Sequence, residues 1–394
     1  MNVFSDRIKN LQPSVIREMF KFTADPSVIS FSAGNPAPEA FPLEKIAELS
    51  DEILRQEPVN ALQYSITEGY PKLREWLKSD MLEKGLFEAN GDELVITSGA
   101  QQVMELVTKT ICNEGETIIC EAPSFIGSLN CFRSYGAKLV GVSMDDEGIA
   151  LKALETALSE NRRSAFIYLI PNFQNPTGKT MSLKRRKEVL ELAYKYNVII
   201  LEDNPYGELR FAGVDLPSIK SMDKKGMVIY AGTFSKTLAP GLRVGYMIGP
   251  ENIVNKAVAA MQVSTVHTNI WAQMLVYRFL TKVDFNEHIE KLREIYKRKC
   301  DLMLNSLKFS MPLSIGFTEP EGGLFIWGTL PYGDLASFCR AALDKKVAIV
   351  PGNAFLVDER EKSLSFRLNF STPSEEQIEK GVEILAEVTK KYYN

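Results

Sequence analysis

The stretch YAGTFSKTLAPGLRVGY, Tyr230 to Tyr246, sets Lys236 on a Gly/Pro-punctuated segment between two apolar runs. Thr233 and Ser235 precede the lysine, and Arg243 follows it seven residues later. A lysine buried among other cations has a lowered pKa, which makes its amine a nucleophile and a proton carrier. Hydroxyls and a guanidinium are anion donors, and the planar fork of arginine suits phosphate. Four more segments gather polar residues in the same way, each just after an apolar run. Ser98-Gly99-Ala100-Gln101 follows ELVIT, and Pro123-Ser124-Phe125 follows TIICEA. NFQNPTG (172–178) follows FIYLIP, and Asp203-Asn204-Pro205-Tyr206 follows VIILE.

Residues so placed need a sheet whose strands all end on one side. The apolar runs ELVIT (93–97), TIICEA (117–122), KLVGVSM (138–144), AFIYLIP (165–171), VIILED (198–203), MVIYAG (227–232) and VGYMIG (244–249) alternate with helical patterns. Short Val/Ile-rich runs in that alternation predict an α/β fold: a mostly parallel sheet flanked by helices on both faces. Ligands bind such sheets at the carboxyl ends of the strands. After about residue 285 the texture changes to a long helix (284–308) followed by GGLFIWGTL, VAIVPG and LSFRLNF, which predicts a smaller α+β unit. The expected division is a large domain over 41–285, and a small domain from 286–394 with the N-terminal 1–40.

Composition narrows the function classes. The chain has 394 residues, 45% of them hydrophobic and 24% charged, which is ordinary for a globular protein. A net charge of −4, without long Lys/Arg runs, points away from nucleic acid. The N-terminus lacks the apolar core of a signal peptide, and no apolar run nears the roughly 18 residues of a membrane span. Five scattered cysteines without a CxxC read as reduced thiols, so a cytoplasmic protein is expected. The two histidines are His267, read as structural, and His288, read as a helix-surface residue. Chemistry here is not expected to run on imidazole or on a metal.

Each polar exit also has a plain structural reading. Ser98 could be an N-cap with Gln101 completing a capping box, and Asp203 could cap a turn. NPTG is a turn by composition, and lysines are mostly solvated. The ordered set is more specific: an anion cradle, an aromatic (Phe125), an amide (Asn175), a carboxylate and phenol (Asp203, Tyr206), then Ser235, Lys236 and Arg243. Such a set suits a cofactor with a phosphate, a basic ring nitrogen, a phenolic oxygen and an aldehyde, which is pyridoxal 5'-phosphate.

SKTLAPGLR, with NPTG and an Asp-x-Pro-Tyr upstream, resembles the class I/II aminotransferases of fold type I. LQYSITEGYPKLREWL, SGAQQ, ISFSAGNPAPEAFP and PEGGLFIW extend the likeness over about 28–390, toward the 2-aminoadipate, kynurenine, branched-chain and aromatic amino acid subgroup. The same module forms part of certain transcriptional regulators, but no winged-helix unit is expected ahead of it here. The resemblance implies that Lys236 bonds the cofactor's aldehyde and, once released, moves a proton between the substrate Cα and the cofactor. Asp203 would pair with the ring nitrogen, Asn175 and Tyr206 would bond the 3′-oxygen, and Phe125 would stack on the ring. Ser98, Gly99, Ala100, Gln101, Thr233, Ser235 and Arg243 would hold the phosphate. Tyr64 would reach the phosphate of a neighbouring subunit, implying a homodimer with shared sites. Arg367 in LSFRLNF would grip the substrate carboxylate, with Asn175 and Gly34 lining that end.

Asn204 departs from relatives that carry a second acid there. The implied reaction is transfer of an amino group from an L-α-amino acid to a 2-oxo acid, with 2-oxoglutarate as acceptor, by a ping-pong cycle. A lyase, decarboxylase or synthase on the same cofactor is the alternative, and a cofactor-sensing module without turnover is the third reading. The N-terminal LQPSVIREMFKF reads equally as a mobile lid or a dimer-packing helix.

Overall fold

The Val/Ile-rich runs form strands buried on both faces. The computed structural model describes residues 3–9 and 25–393, so LQPSVIREMFKF lies outside the described residues. After the short β1 (Ile29–Ser30) come β2 (Asp92–Thr97), β3 (Thr117–Ala122), β4 (Lys138–Asp145) and β5 (Gly148–Ile149). Next are β6 (Ser164–Leu169), β7 (Ile199–Asp203), β8 (Val228–Thr233) and β9 (Gly245–Pro250). The large sheet has the order β2-β9-β8-β7-β6-β3-β4-β5. Strands β4, β3, β6, β7 and β8 pair in parallel, whereas β9 runs antiparallel to both β8 and β2. With β9 reversed between them, β2 points the same way as β8. The carboxyl ends Thr97, Ala122, Leu169, Asp203 and Thr233 therefore share one edge.

Along β6, Phe166 and Tyr168 face one apolar cluster while Ile167 and Leu169 face another. This is the period-two alternation of a strand covered on both sides. Helices Ala100–Ile111 and Glu251–Gln262 cover the first face, and Leu151–Glu160 and Leu183–Tyr196 the second. Ser182 caps the last of these by accepting from the Arg185 N–H at 3.1 Å.

A second antiparallel sheet is built from the C-terminal part. It contains β10 (Gly316–Phe317), β11 (Phe325–Thr329), β13 (Val350–Pro351) and β14 (Ser365–Asn369), in the order β10-β11-β14-β13. Strand β12 (Val347–Ala348) pairs in parallel with β1, which ties the residues after 28 to this part of the chain. The long helix spans Phe285–Ser310, and Asp284 caps it by accepting from the Glu287 N–H at 3.0 Å.

His288 on this helix corrects the expectation of a surface residue. It is buried between Phe279 and Phe285, and its Nε2 lies 2.7 Å from the Thr237 carbonyl. The helix turns this face onto the loop after Lys236, a tertiary contact that sequence periodicity does not reveal. All five cysteines are free.

The edge strand β2 is anchored at its start by a buried ion pair. Lys220 Nζ lies 2.8 Å from Asp92 Oδ1, with both side chains 5% exposed. Removing one partner of such a pair leaves a bare charge inside the protein, at a cost of about 3–5 kcal/mol. Lys220→Met is expected to lower the melting temperature by several degrees, and adding Asp92→Asn should recover most of the loss. A single variant that melts with the parent would refute this.

Candidate active site

The phosphate-sized end of the site forms where β2 gives way to the helix Ala100–Ile111. The expected Ser98 cap is shifted by one residue: Gly99 is the N-cap, at φ 71°, and no side chain caps the helix. It is Gln102, not Gln101, that folds back, accepting from the Ser98 N–H at 2.6 Å. The positive φ at Gly99 turns the chain so that Ser98 falls outside the cap. A Cβ at Gly99 would also sit 2.6 Å from Arg243 Nη2. This leaves the Ala100 and Gln101 end of the helix facing a cavity, and the free N–H groups of a helix start favour an anion there.

Opposite stand Thr233 and Ser235, joined through their hydroxyls at 3.0 Å. Arg243, at φ 53°, lays its guanidinium across Ser235 Oγ (3.4 Å), the Pro240 carbonyl (3.3 Å) and the Ser98 carbonyl (3.1 Å).

The cavity measures about 370 Å³ and takes in residues from all five strand exits. Lys236 Nζ enters it and donates to the Gly34 carbonyl at 2.7 Å. Burial, then the charges of Arg367 and Arg243, lower the Lys236 pKa to about 8. Asp203 is buried at the end of β7. Its Oδ2 accepts from the Tyr168 hydroxyl at 2.7 Å, while its Oδ1 has no partner. Burial raises its pKa to about 7, with the Tyr168 hydrogen bond acting the other way.

Asn175 donates to the Tyr206 hydroxyl at 3.4 Å and accepts from Arg367 Nη1 at 2.8 Å. Arg367, on β14, is buried between Phe325 and Phe355, with ring centroids 4.3 and 4.9 Å from its guanidinium carbon. Its Nη2 donates to the Ser32 carbonyl at 2.7 Å and its Nε has no partner. Burial lowers its pKa to about 10.

Of the residues singled out in the sequence, Gly34, Ala100, Gln101, Phe125, Asn175, Asp203, Tyr206, Thr233, Ser235, Lys236, Arg243 and Arg367 line this one cavity. Ser98 and Gly99 stand just behind the phosphate-sized end. Tyr64 does not line it: its side chain is 81% exposed and meets His267 edge-on, with centroids 5.9 Å apart. Asn204 is engaged elsewhere, donating to the Tyr230 hydroxyl at 2.8 Å and accepting from Asn172 at 2.9 Å. Sequence reasoning passed over Tyr168, Ser128 and the rings of Phe325 and Phe355. A tyrosine inside an otherwise apolar strand was the available signal for the first.

Pyridoxal phosphate fits these residues. A protonated ring nitrogen requires a buried acceptor, and Asp203 Oδ1 is one without a partner. An aldehyde requires an amine of lowered pKa, and the phosphate requires the N–H, hydroxyl and guanidinium groups gathered at the start of the helix.

Comparison with known proteins agrees. The aminotransferase class I and II family profile matches residues 26–385. The chain is 40% identical to aromatic-amino-acid aminotransferase 1 of Thermococcus litoralis, over 98% of this chain and 94% of that protein. It is 39% identical to the 2-aminoadipate transaminase of Thermus thermophilus, over 96% of this chain and 94% of that protein.

The chain belongs to the class I and II aminotransferases.

Among solved structures, the Pyrococcus horikoshii kynurenine aminotransferase in complex with PMP superposes with a TM-score of 0.95 at 38% identity, over 100% of this chain and 98% of that one. The α-aminoadipate aminotransferase of Thermus thermophilus, complexed with a phosphopyridoxyl-leucine, superposes with a TM-score of 0.92 at 37% identity, over 100% and 98% of the two chains. This aminotransferase therefore has the fold type I architecture, takes pyridoxal phosphate as its cofactor, and moves amino groups between amino acids and 2-oxo acids.

Asp203 makes the apoprotein's stability depend on pH. Its folded pKa is raised, so below its unfolded value near 4 the carboxyl is neutral in both states and costs nothing. The cost grows as pH rises through about 7 and is full above it. Asp203→Asn apoprotein is thus expected to be more stable than the parent at pH 8, by on the order of 3 kcal/mol, with the gain vanishing near pH 4. Thermal melts at several pH values read this, and a gain that ignored pH would refute it.

Proposed function

We propose that this aminotransferase takes an L-α-amino acid as donor and 2-oxoglutarate as acceptor in a ping-pong cycle, with Lys236 as the proton carrier. The observation that supports the reading best is that Lys236, Asp203 and Arg367 line one cavity, while Asp203 Oδ1 and Arg367 Nε are buried without a hydrogen-bond partner. When bound, pyridoxal phosphate supplies an electron sink for negative charge at the substrate Cα.

The chain's own groups supply the rest. Lys236, with its pKa near 8, has a free-amine fraction at neutral pH and would take up and return the proton at the substrate Cα. Asp203 keeps the ring nitrogen protonated, because a buried carboxylate without a second partner favours a cation beside it. Asn175 and Tyr206 bond the 3′-oxygen, and Phe125 covers the ring. Ala100, Gln101, Thr233, Ser235 and Arg243 hold the phosphate, and Ser98 and Gly99 shape the turn behind it. Arg367 grips the substrate's α-carboxylate, with Asn175 and Gly34 beside it, and the flanking rings keep water from the fork.

The proposed working form is a cytoplasmic homodimer in which Tyr64 reaches the phosphate of the second copy. Its exposed ring, in a stretch with exposed Val59, Leu62 and Ile66, supports that reading. Among the described residues no helix is long and apolar enough to cross a membrane. We further propose the division into a large domain over 41–285 and a small one from 1–40 and 286–394, in keeping with the two separate main sheets.

Two measurements test the reading. Lys236→Ala should lose transamination by about a thousandfold or more, and an amino acid should no longer convert the bound cofactor to its pyridoxamine form. A variant that still transaminates would refute the lysine's role. Sedimentation at micromolar concentration should give a dimer, and an active monomer would remove the role of Tyr64.

A further inference from the structure

Ser128, Tyr168 and Asp203 form a line of hydrogen bonds in the cavity wall, with Ser128 and Asp203 lining the cavity and Tyr168 joining them. Ser128 Oγ donates to the Tyr168 hydroxyl at 2.9 Å, and that hydroxyl donates to Asp203 Oδ2 at 2.7 Å. All three residues are buried, with 0%, 0% and 4% exposure in that order. The phenol cannot swing aside. Tyr168 lies in β6 between β3 and β7, in register with Cys120 and Leu201, and its ring meets Phe132 edge-on at 5.3 Å.

A carboxyl held only at its backbone can present either oxygen to a ligand. Here one oxygen is taken and the other, Oδ1, is left open. We propose that Tyr168 is a positioning residue, which with Ser128 locks the Asp203 carboxylate by Oδ2 so that Oδ1 meets the ring nitrogen of pyridoxal phosphate. The proposal rests on the reading of Asp203 as the partner of that nitrogen.

A hydrogen bond donated to a carboxylate also favours its charged form. Without it, the proton shared between Asp203 and the ring nitrogen moves toward Asp203, and the ring loses positive charge. Other titratable groups face Asp203 as well: Glu121 on β3, Tyr206, Tyr230, and Lys236 across the cavity. Glu121 is itself engaged by the Ile170 N–H at 3.1 Å and Gln174 Nε2 at 3.3 Å. Tyr168 is thus the group that bonds Asp203 directly.

The test compares holoprotein of the parent, Tyr168→Phe, Ser128→Ala and Asp203→Asn. In Tyr168→Phe, kcat should fall about tenfold while KM for the amino donor stays within about twofold, because the substrate's own contacts are intact. The pH midpoint of the bound cofactor's visible absorbance should move upward, since a less positive ring lets the rest of the chromophore hold its proton to higher pH. The cofactor's dissociation constant should rise several-fold. Ser128→Ala, which leaves the phenol in place but unoriented, should move the same readouts in the same direction and less far; it decides the matter should Tyr168→Phe not fold. A loss of melting temperature with an unmoved midpoint and unmoved kcat would overturn the proposal, leaving Tyr168 a structural residue. If Asp203→Asn shifts the midpoint and the tyrosine variant does not, only the Tyr168 proposal falls. If Asp203→Asn shifts nothing, the reading of Asp203 falls and takes this one with it.

Discussion

A charge removed from water must be matched, and this fold matches three of its charges only in part. Asp203 has one oxygen satisfied and one bare, Arg367 has two nitrogens bonded and one bare, and Lys236 rests on a single carbonyl. Each costs stability in the protein alone, which is the physical content of the shifted pKa values of all three. The remaining architecture keeps these groups apart from one another and facing one cavity. Were Asp203 allowed to reach Lys236 they would form an ion pair, and neither would have anything left to offer a ligand.

The sheet accomplishes this separation. Asp203 and Lys236 follow adjacent parallel strands, β7 and β8, so both arrive at the same edge. Arg243 stands at the phosphate-sized end just before β9 begins, and the reversed β9 lets β2 rejoin the common direction. Close packing finishes the job. Gly245 would bring a Cβ within 2.9 Å of the Ala100 nitrogen and 2.7 Å of the Gly99 carbonyl carbon, so the strand can lie directly against the helix start.

Most of this was legible in the sequence, because strands buried on both faces are read as apolar runs and their exits as polar clusters. The exits at 98–101, 172–178, 203–206 and 233–236 lie where the runs end. What failed to show was set by backbone angles or by distant contacts. Ser98 looks like a helix cap until the positive φ of Gly99 moves the cap by one residue. His288 has the spacing of a helix surface, and only the fold brings the Thr237 carbonyl against it. Tyr168 was hidden because within an apolar strand a phenol reads as one more large core residue, and its partner stands 35 positions away.

The aromatic grip on Arg367 bears on which substrates can react. With the rings of Phe325 and Phe355 packed against it and carbonyl oxygens bonded to two of its nitrogens, the guanidinium is held in place. On the proposed reading, with Arg367 on the carboxylate and Lys236 at the reacting end, the two groups would act as a ruler. On that reading the substrate that fits is one whose amine sits on the carbon next to its carboxylate. One with its amine a carbon or two farther along overshoots, however well its side chain fits. On the proposed reading of Arg367, positional selectivity would follow from the rigidity of one arginine, independent of whatever surface reads the side chain.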